Sequence, residues 1–151
     1  MIDSILNQTY QDFEVLLLDD CSTDNSRDIL NAYAEKHERI TTHFNTQNTG
    51  STFAQWNKGV ALAKGQYIWI AESDDYNNVE FLQTYVNANI DNLSIGLFAS
   101  SLEIVGSNSK EIFAPLKEGV YNGTSILKNY MLKTNSLRNG SSLLFKKALL
   151  D

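Results

Sequence analysis

The run Tyr67-Ile68-Trp69-Ile70-Ala71 passes directly into Glu72-Ser73-Asp74-Asp75. An uninterrupted apolar run of this length, rich in β-branched and aromatic residues, reads as a strand buried on both faces, the usual state inside a parallel sheet. Open α/β sheets hold their ligands just beyond the carboxyl ends of their strands, so the three acids stand where such a fold places a site. Like charges this close repel one another unless a cation lies among them. Carboxylate oxygens suit hard divalent ions, with Mg²⁺ and Mn²⁺ equally acceptable. Two readings stay open from this stretch alone: a metal site, or a solvated acidic turn.

A second strand-like run, Val15-Leu16-Leu17-Leu18, also ends in acid, at Asp19-Asp20, and is followed by the capping and turn residues Ser22 to Ser26. Helix capping accounts for one carboxylate, and Asp24 or Ser22 could supply it unaided, which leaves Asp19 and Asp20 as candidates for a ligand. Ile29, Leu30 and Tyr33 then recur at helical spacing. Ile40, Thr42 and Phe44 alternate as in a half-exposed strand, and the polar loop 45–51 leads to a helix over about 52–64, stopped by Gly65. In that helix Phe53, Trp56, Val60 and Ala63 form the expected buried stripe. Asn57 shares this face, either as a tie to the neighbouring loop or as a substrate contact.

The remaining pattern is less regular. Ile2, Ile5 and Leu6 suggest the end of a helix, and Val79, Leu82, Tyr85 and Val86 suggest an amphipathic helix ending near Asp91. A strand is expected over 95–100, with 102–105 continuing it or pairing beside it, then a loop or irregular hairpin over 106–119. A short helix is expected over 125–133, with Ile126, Leu127, Tyr130 and Met131 inward. The turn Asn139-Gly140-Ser141-Ser142 feeds a strand over 143–145, and a last helix begins at Lys146.

The 151 residues suit a single domain, 1–151, with a core of useful size, and 42% hydrophobic against 20% charged residues excludes disorder. A formal charge of −6, with no basic cluster beyond Lys146-Lys147, argues against a nucleic-acid partner. Cys21 is the one cysteine, which rules out an internal disulfide and suits a reducing compartment. No leader-like start and no apolar run of membrane-spanning length is visible, so the chain reads as soluble and cytoplasmic.

Several segments together resemble the nucleotide-binding half of family 2 glycosyltransferases. These are Ser4-Ile5-Leu6-Asn7-Gln8-Thr9-Tyr10, Phe13 through Ser26, Asn48-Thr49-Gly50, Asn57-Lys58-Gly59, Ala63 through Ile68, and Glu72-Ser73-Asp74-Asp75. The resemblance implies a GT-A fold: a Rossmann-like, mostly parallel sheet flanked by helices, here lacking the usual first strand and the C-terminal acceptor part, as in a domain truncated at both ends. It implies binding of a nucleotide-diphospho-sugar through Asp19, Asp20, Asn57 and Asp74, with Asp20 hydrogen-bonding the base, typically uracil. It further implies a divalent metal, Mn or Mg, held by Asp74 and Asp75 with Glu72 in place of the motif's first aspartate. Trp56 stands where relatives carry an arginine.

The implied chemistry is inverting transfer of the sugar to an acceptor hydroxyl, on a carbohydrate or lipid-linked acceptor, in surface polysaccharide synthesis. Peripheral attachment at the inner membrane face and a homo-oligomer are both compatible with it. The family's general base belongs to a later motif, beyond Asp151, and none of Glu103, Glu111 or Glu118 sits in a matching position. The competing expectations are a non-catalytic sugar-nucleotide-binding or interaction module, and a phosphoacceptor receiver domain built on Asp19-Asp20, although the lysine a receiver requires is missing.

Overall fold

The computed structural model describes residues 1–88, 96–105, 110–113, 117, 119–132 and 139–149. The expected helix end near Asp91, the start of a strand at Ile95, Pro115, Lys133 and the last two residues lie outside them. In chain order the elements are α1 (Ile2–Leu6), β1 (Val15–Asp19), α2 (Ser26–Lys36), β2 (Ile40–Phe44), α3 (Thr52–Leu62), β3 (Tyr67–Trp69), α4 (Phe81–Asn87), β4 (Leu97–Ala99), β5 (Leu102–Val105), β6 (Lys110–Phe113), α5 (Gly123–Ile126) and β7 (Leu143–Lys146).

The α/β class holds. β1 and β2 pair in parallel, from Val15 opposite Ile40 to Asp19 opposite Phe44. β7 lies between β3 and β4 and is antiparallel to both, while β5 and β6 form an antiparallel hairpin. The segment expected as a loop or irregular hairpin therefore contributes a strand at 110–113.

Between β1 and β3 no ladder is formed among the described residues, and side chains join the two sheets instead. Ile5, Val15, Leu17 and Ile40 make one buried cluster; Phe81, Leu82, Tyr85, Phe98 and Leu144 make another, and Phe13 and Trp69 pack against both. Aromatic rings dominate the second cluster. Trp69 and Phe81 lie 4.8 Å apart between centroids, and Phe81 meets Tyr85 edge-on at 4.7 Å, within the range where such pairs add to simple burial.

Local chemistry sets the element ends. The Ser51 hydroxyl accepts the Ala54 N–H at 3.3 Å and opens α3, an N-cap contact that satisfies a donor with no partner inside the helix. Asn122 does the same for α5 through the Ser125 N–H. Beyond α5 the chain continues as a π-turn over Leu127–Met131. Of the four residues expected inward, Ile126 is half-buried, Leu127 and Met131 are exposed, and the Tyr130 side chain lies outside what the structure describes.

α3 also differs from its apolar pattern. Phe53 is 70% exposed and Asn57 lies on the outer face, whereas Gly59 faces β1 so closely that a Cβ there would sit 3.0 Å from Leu18 Cδ1. The face turned to the sheet is thus set by Gln55 and Gly59, one turn apart. The physical reason is that α3 covers the polar end of β1, where close approach and hydrogen bonding outweigh apolar burial.

The most thoroughly buried side chain is polar. Gln8, 1% exposed, donates to the carbonyls of Ser4 (3.0 Å) and Asn78 (2.7 Å), and its own carbonyl accepts the Leu82 N–H at 2.9 Å. Together with the Thr9 N–H bond to the Val79 carbonyl at 2.8 Å, this lashes the turn after α1 to the segment that follows the acids of 72–75.

Candidate functional site

Asp19 and Asp20 leave β1 in opposite directions, as successive strand residues must. Asp19 points inward, its side chain 3% exposed, and receives the Arg27 Nε–H at 2.8 Å and the Ser22 N–H at 3.1 Å. Burial alone would raise its carboxyl, but the bonds from Ser22 and Arg27 outweigh it and hold the group below its ordinary value. Arg27 in turn donates to the Asn45 carbonyl at 2.5 Å and lies over the Phe44 ring. Asp19 therefore ties β1 to α2 and to the end of β2. Its carboxylate, expected as a nucleotide contact, is turned inward and held by Arg27 and Ser22.

Asp20 faces the loop and α3. Its Oδ1 accepts from Asn45 Nδ2 (2.6 Å) and Gln55 Nε2 (2.8 Å), its Oδ2 from the Thr49 hydroxyl (2.7 Å), and both oxygens share the Thr49 N–H at 3.0 Å. Desolvation opposes its charge, yet these bonds hold the carboxyl below the usual range. Cys21 follows with φ 67, in the left-handed region that side chains disfavour, and the chain then turns back so that the Ser22 N–H meets Asp19.

At the end of β3 the acids are held by residues remote in sequence. Ser141 Oγ accepts the Glu72 N–H at 2.8 Å, and Asn139 Nδ2 donates to Asp75 Oδ2 at 2.8 Å. The Ser141 carbonyl accepts from Trp69 Nε1 (2.9 Å) and Asn77 Nδ2 (3.1 Å). Asn139 also caps the short 3-10 turn Gly140–Ser142 through the Ser141 N–H.

The Glu72 carboxyl is pushed up, first by burial and then by the charges of Asp75 and Asp74, against a backbone hydrogen bond from Gly140. The three acids thus feel one another. They do not form a ready ligand set, however: among the described residues no three His, Cys, Asp or Glu side chains converge on one point. Glu72, expected as a third ligand beside Asp74 and Asp75, is half-buried with its N–H held by Ser141. Asp74 is exposed and Asp75 half-buried, and two carboxylates completed by water and phosphate oxygens are a donor set that Mg²⁺ and Mn²⁺ accept.

The two acid clusters meet at α3. Gln55 holds Asp20, and the ring of the next residue, Trp56, lies 3.7 Å from where a Cβ on Gly140 would stand. Gly140 adjoins Asn139, which holds Asp75. Consecutive residues of one helix therefore bond Asp20 and approach the turn next to Asn139. Asn57, the expected substrate contact, lies outside this junction on the exposed face of α3. Gln55, Asn139 and Ser141 were not legible as site residues, because their partners are 35 to 69 positions away.

Replacing Ser141 by alanine should cost about 1 kcal/mol, since the buried Glu72 N–H loses its acceptor. A urea midpoint unchanged from that of the native chain would show that the contact contributes nothing.

The fold is an α/β domain of GT-A type. TarS of S. aureus, residues 1–349, solved in complex with UDP, superposes with a TM-score of 0.70 at 24% identity, covering 99% of this chain and 43% of that one. The chain belongs to Glycosyl transferase family 2, whose profile matches residues 1–149. It is 41% identical over 95 residues to a poly(ribitol-phosphate) beta-glucosyltransferase of Bacillus spizizenii, covering 62% of this chain and 15% of the relative. It is also 39% identical over 83 residues to the glycosyltransferase GlyG of Streptococcus pneumoniae, covering 55% and 27% respectively. An Escherichia coli relative, the UDP-Glc:alpha-D-GlcNAc-diphosphoundecaprenol beta-1,3-glucosyltransferase WfaP, is 36% identical over an alignment of 118 residues, covering 68% of this chain and 46% of that protein. The chain thus spans well under half the length of the first of these relatives. Among the described residues no helix is long and apolar enough to cross a membrane.

Proposed function

We propose that this chain is the donor-binding part of a glycosyltransferase that takes a uridine-diphospho-sugar with a divalent ion and passes the sugar, with inversion, to an acceptor hydroxyl in surface polysaccharide synthesis. The observation that carries the reading is the junction at α3, where Gln55 contacts the Asp20 group and Trp56 contacts the loop that holds Asp75. A single nucleotide laid along that helix would reach both. The UDP complex of TarS and the UDP-glucose named for WfaP support the choice of nucleotide. The polymer and lipid-linked acceptors named for the relatives support an extended or membrane-borne acceptor, reached from the cytoplasmic face.

Asp20 would orient the base, and Asp74 and Asp75 would hold Mn²⁺ or Mg²⁺. When bound, such an ion supplies positive charge against the oxygen of the departing diphosphate. Asn139 fixes one oxygen of Asp75 and leaves the other for the ligand. Family membership displaces the receiver-domain alternative.

Titration of the full chain with UDP-glucose and UDP-N-acetylglucosamine, with and without Mn²⁺, tests the reading. Binding should require the ion and weaken about tenfold or more in Asp74→Ala, in line with the loss of one of two carboxylate ligands. Binding indifferent to both the ion and the substitution would remove the assignment. Sugar transfer measured beside binding distinguishes an enzyme from a binding module.

A further inference from the structure

The carboxylate of Asp20 is full. Its two oxygens offer about four lone-pair positions; Asn45 Nδ2 and Gln55 Nε2 occupy Oδ1, the Thr49 hydroxyl occupies Oδ2, and the Thr49 N–H is shared by both, with the Gly50 N–H beside them. A nucleobase that donates to Asp20 must displace one of these. They are not equally fixed. Asn45 is pinned at its far end, where Lys58 Nζ donates to its Oδ1 at 2.6 Å. Thr49 holds through its main chain as well as its hydroxyl. Gln55 has no such second attachment: its Oε1 is buried and has no hydrogen-bond partner among the described residues.

The amide cannot be reversed to cure this, because its carbonyl would then face the carboxylate. A buried acceptor without a donor is desolvated with nothing in return, so Gln55 is the donor that leaves most readily.

We propose that Gln55 is a specificity-determining residue of the base pocket, a built-in competitor whose carboxamide N–H occupies in the free protein the Asp20 acceptor that a base imide N–H takes in the complex. The ligand class is a base with a ring N–H flanked by carbonyls, as in uracil. A carboxamide presents the same donor beside an acceptor, which is why it fits the place. Cytosine offers a ring acceptor at the matching position and would face the carboxylate with like polarity. In the free protein the competent fraction is limited by the Gln55 contact, and apparent affinity is reduced by that fraction. The inference rests on the donor reading given above.

The experiment measures UDP, CDP and ADP dissociation constants by calorimetry on the native full chain, on Gln55→Met, which keeps the volume without the donor, and on Gln55→Ala. Thermal melts establish that each variant is folded. Both substitutions should tighten UDP about three- to tenfold, the equivalent of one net hydrogen bond, and leave CDP and ADP unchanged, so that the preference for UDP widens. UDP affinity that is unchanged or weakened in both folded variants overturns the competitor role alone. Failure of the native chain itself to bind UDP overturns the donor reading beneath it, a separate outcome visible before any variant is compared.

Discussion

Gln8→Ala should lower the melting temperature by about 6–12 °C, the largest effect expected of any single substitution outside the hydrophobic clusters. The side chain is 1% exposed and makes three hydrogen bonds, to the carbonyls of Ser4 and Asn78 and from the N–H of Leu82. Truncation leaves buried polar groups without partners, each costing about 1 kcal/mol or more, and opens a cavity besides. A sum of about 3 kcal/mol corresponds to that temperature shift in a chain of this size. Gln8→Met separates the two contributions, because it fills the space and restores no hydrogen bond; it should recover only the cavity part. Melts by circular dichroism decide the matter, and a shift under about 2 °C for the alanine variant would show that water or backbone relaxation replaces all three bonds.

Asp19→Asn should destabilise the chain by about 2 kcal/mol at neutral pH, the scale of a buried hydrogen bond to a charged group. The Arg27 side chain is 34% exposed and can regain some water, which keeps the loss below that of a fully buried pair. The pH dependence follows from the direction of the shift. Burial raises the carboxyl, but the bonds from Ser22 and Arg27 outweigh it, so the folded value lies below the ordinary 3.8. Stability from this group is therefore complete above about 3.8 and disappears as pH falls through the lower folded value. Denaturation curves of the native and variant chains should stay parallel from pH 7 to about 5 and converge in stronger acid. A gap that persists unchanged to pH 2 would mean that the contact does not depend on the charge of Asp19.

The regular elements from β1 to β3 were legible because their period is written in apolar residues: Val15 and Leu17 alternate inward, and Ile68 is buried between its neighbours. The orientation of α3 was not. Phe53, Trp56, Val60 and Ala63 mark one stripe, but the helix turns Gln55 and Gly59 to the sheet. One local sign was present, since a glycine in a helix interior costs about 1 kcal/mol and so hints at close approach. Gln8 and Ser141 gave no sign at all. A buried polar side chain is worth its place only through partners, and these partners lie 70 or so positions along the chain. The candidate site was legible as two acid clusters; which acids are structural, as Asp19 is, depended on where strand alternation points each one.

Because no hydrogen-bond ladder joins β1 to β3 among the described residues, the spacing of the two sheets is set by the bulk of Phe13 and Trp69, which pack against both clusters. A spacing gauged by two aromatic rings changes when those side chains are exchanged, with the pairing inside each sheet left as it is. Divergence between such domains can then proceed through ordinary point changes at these shims.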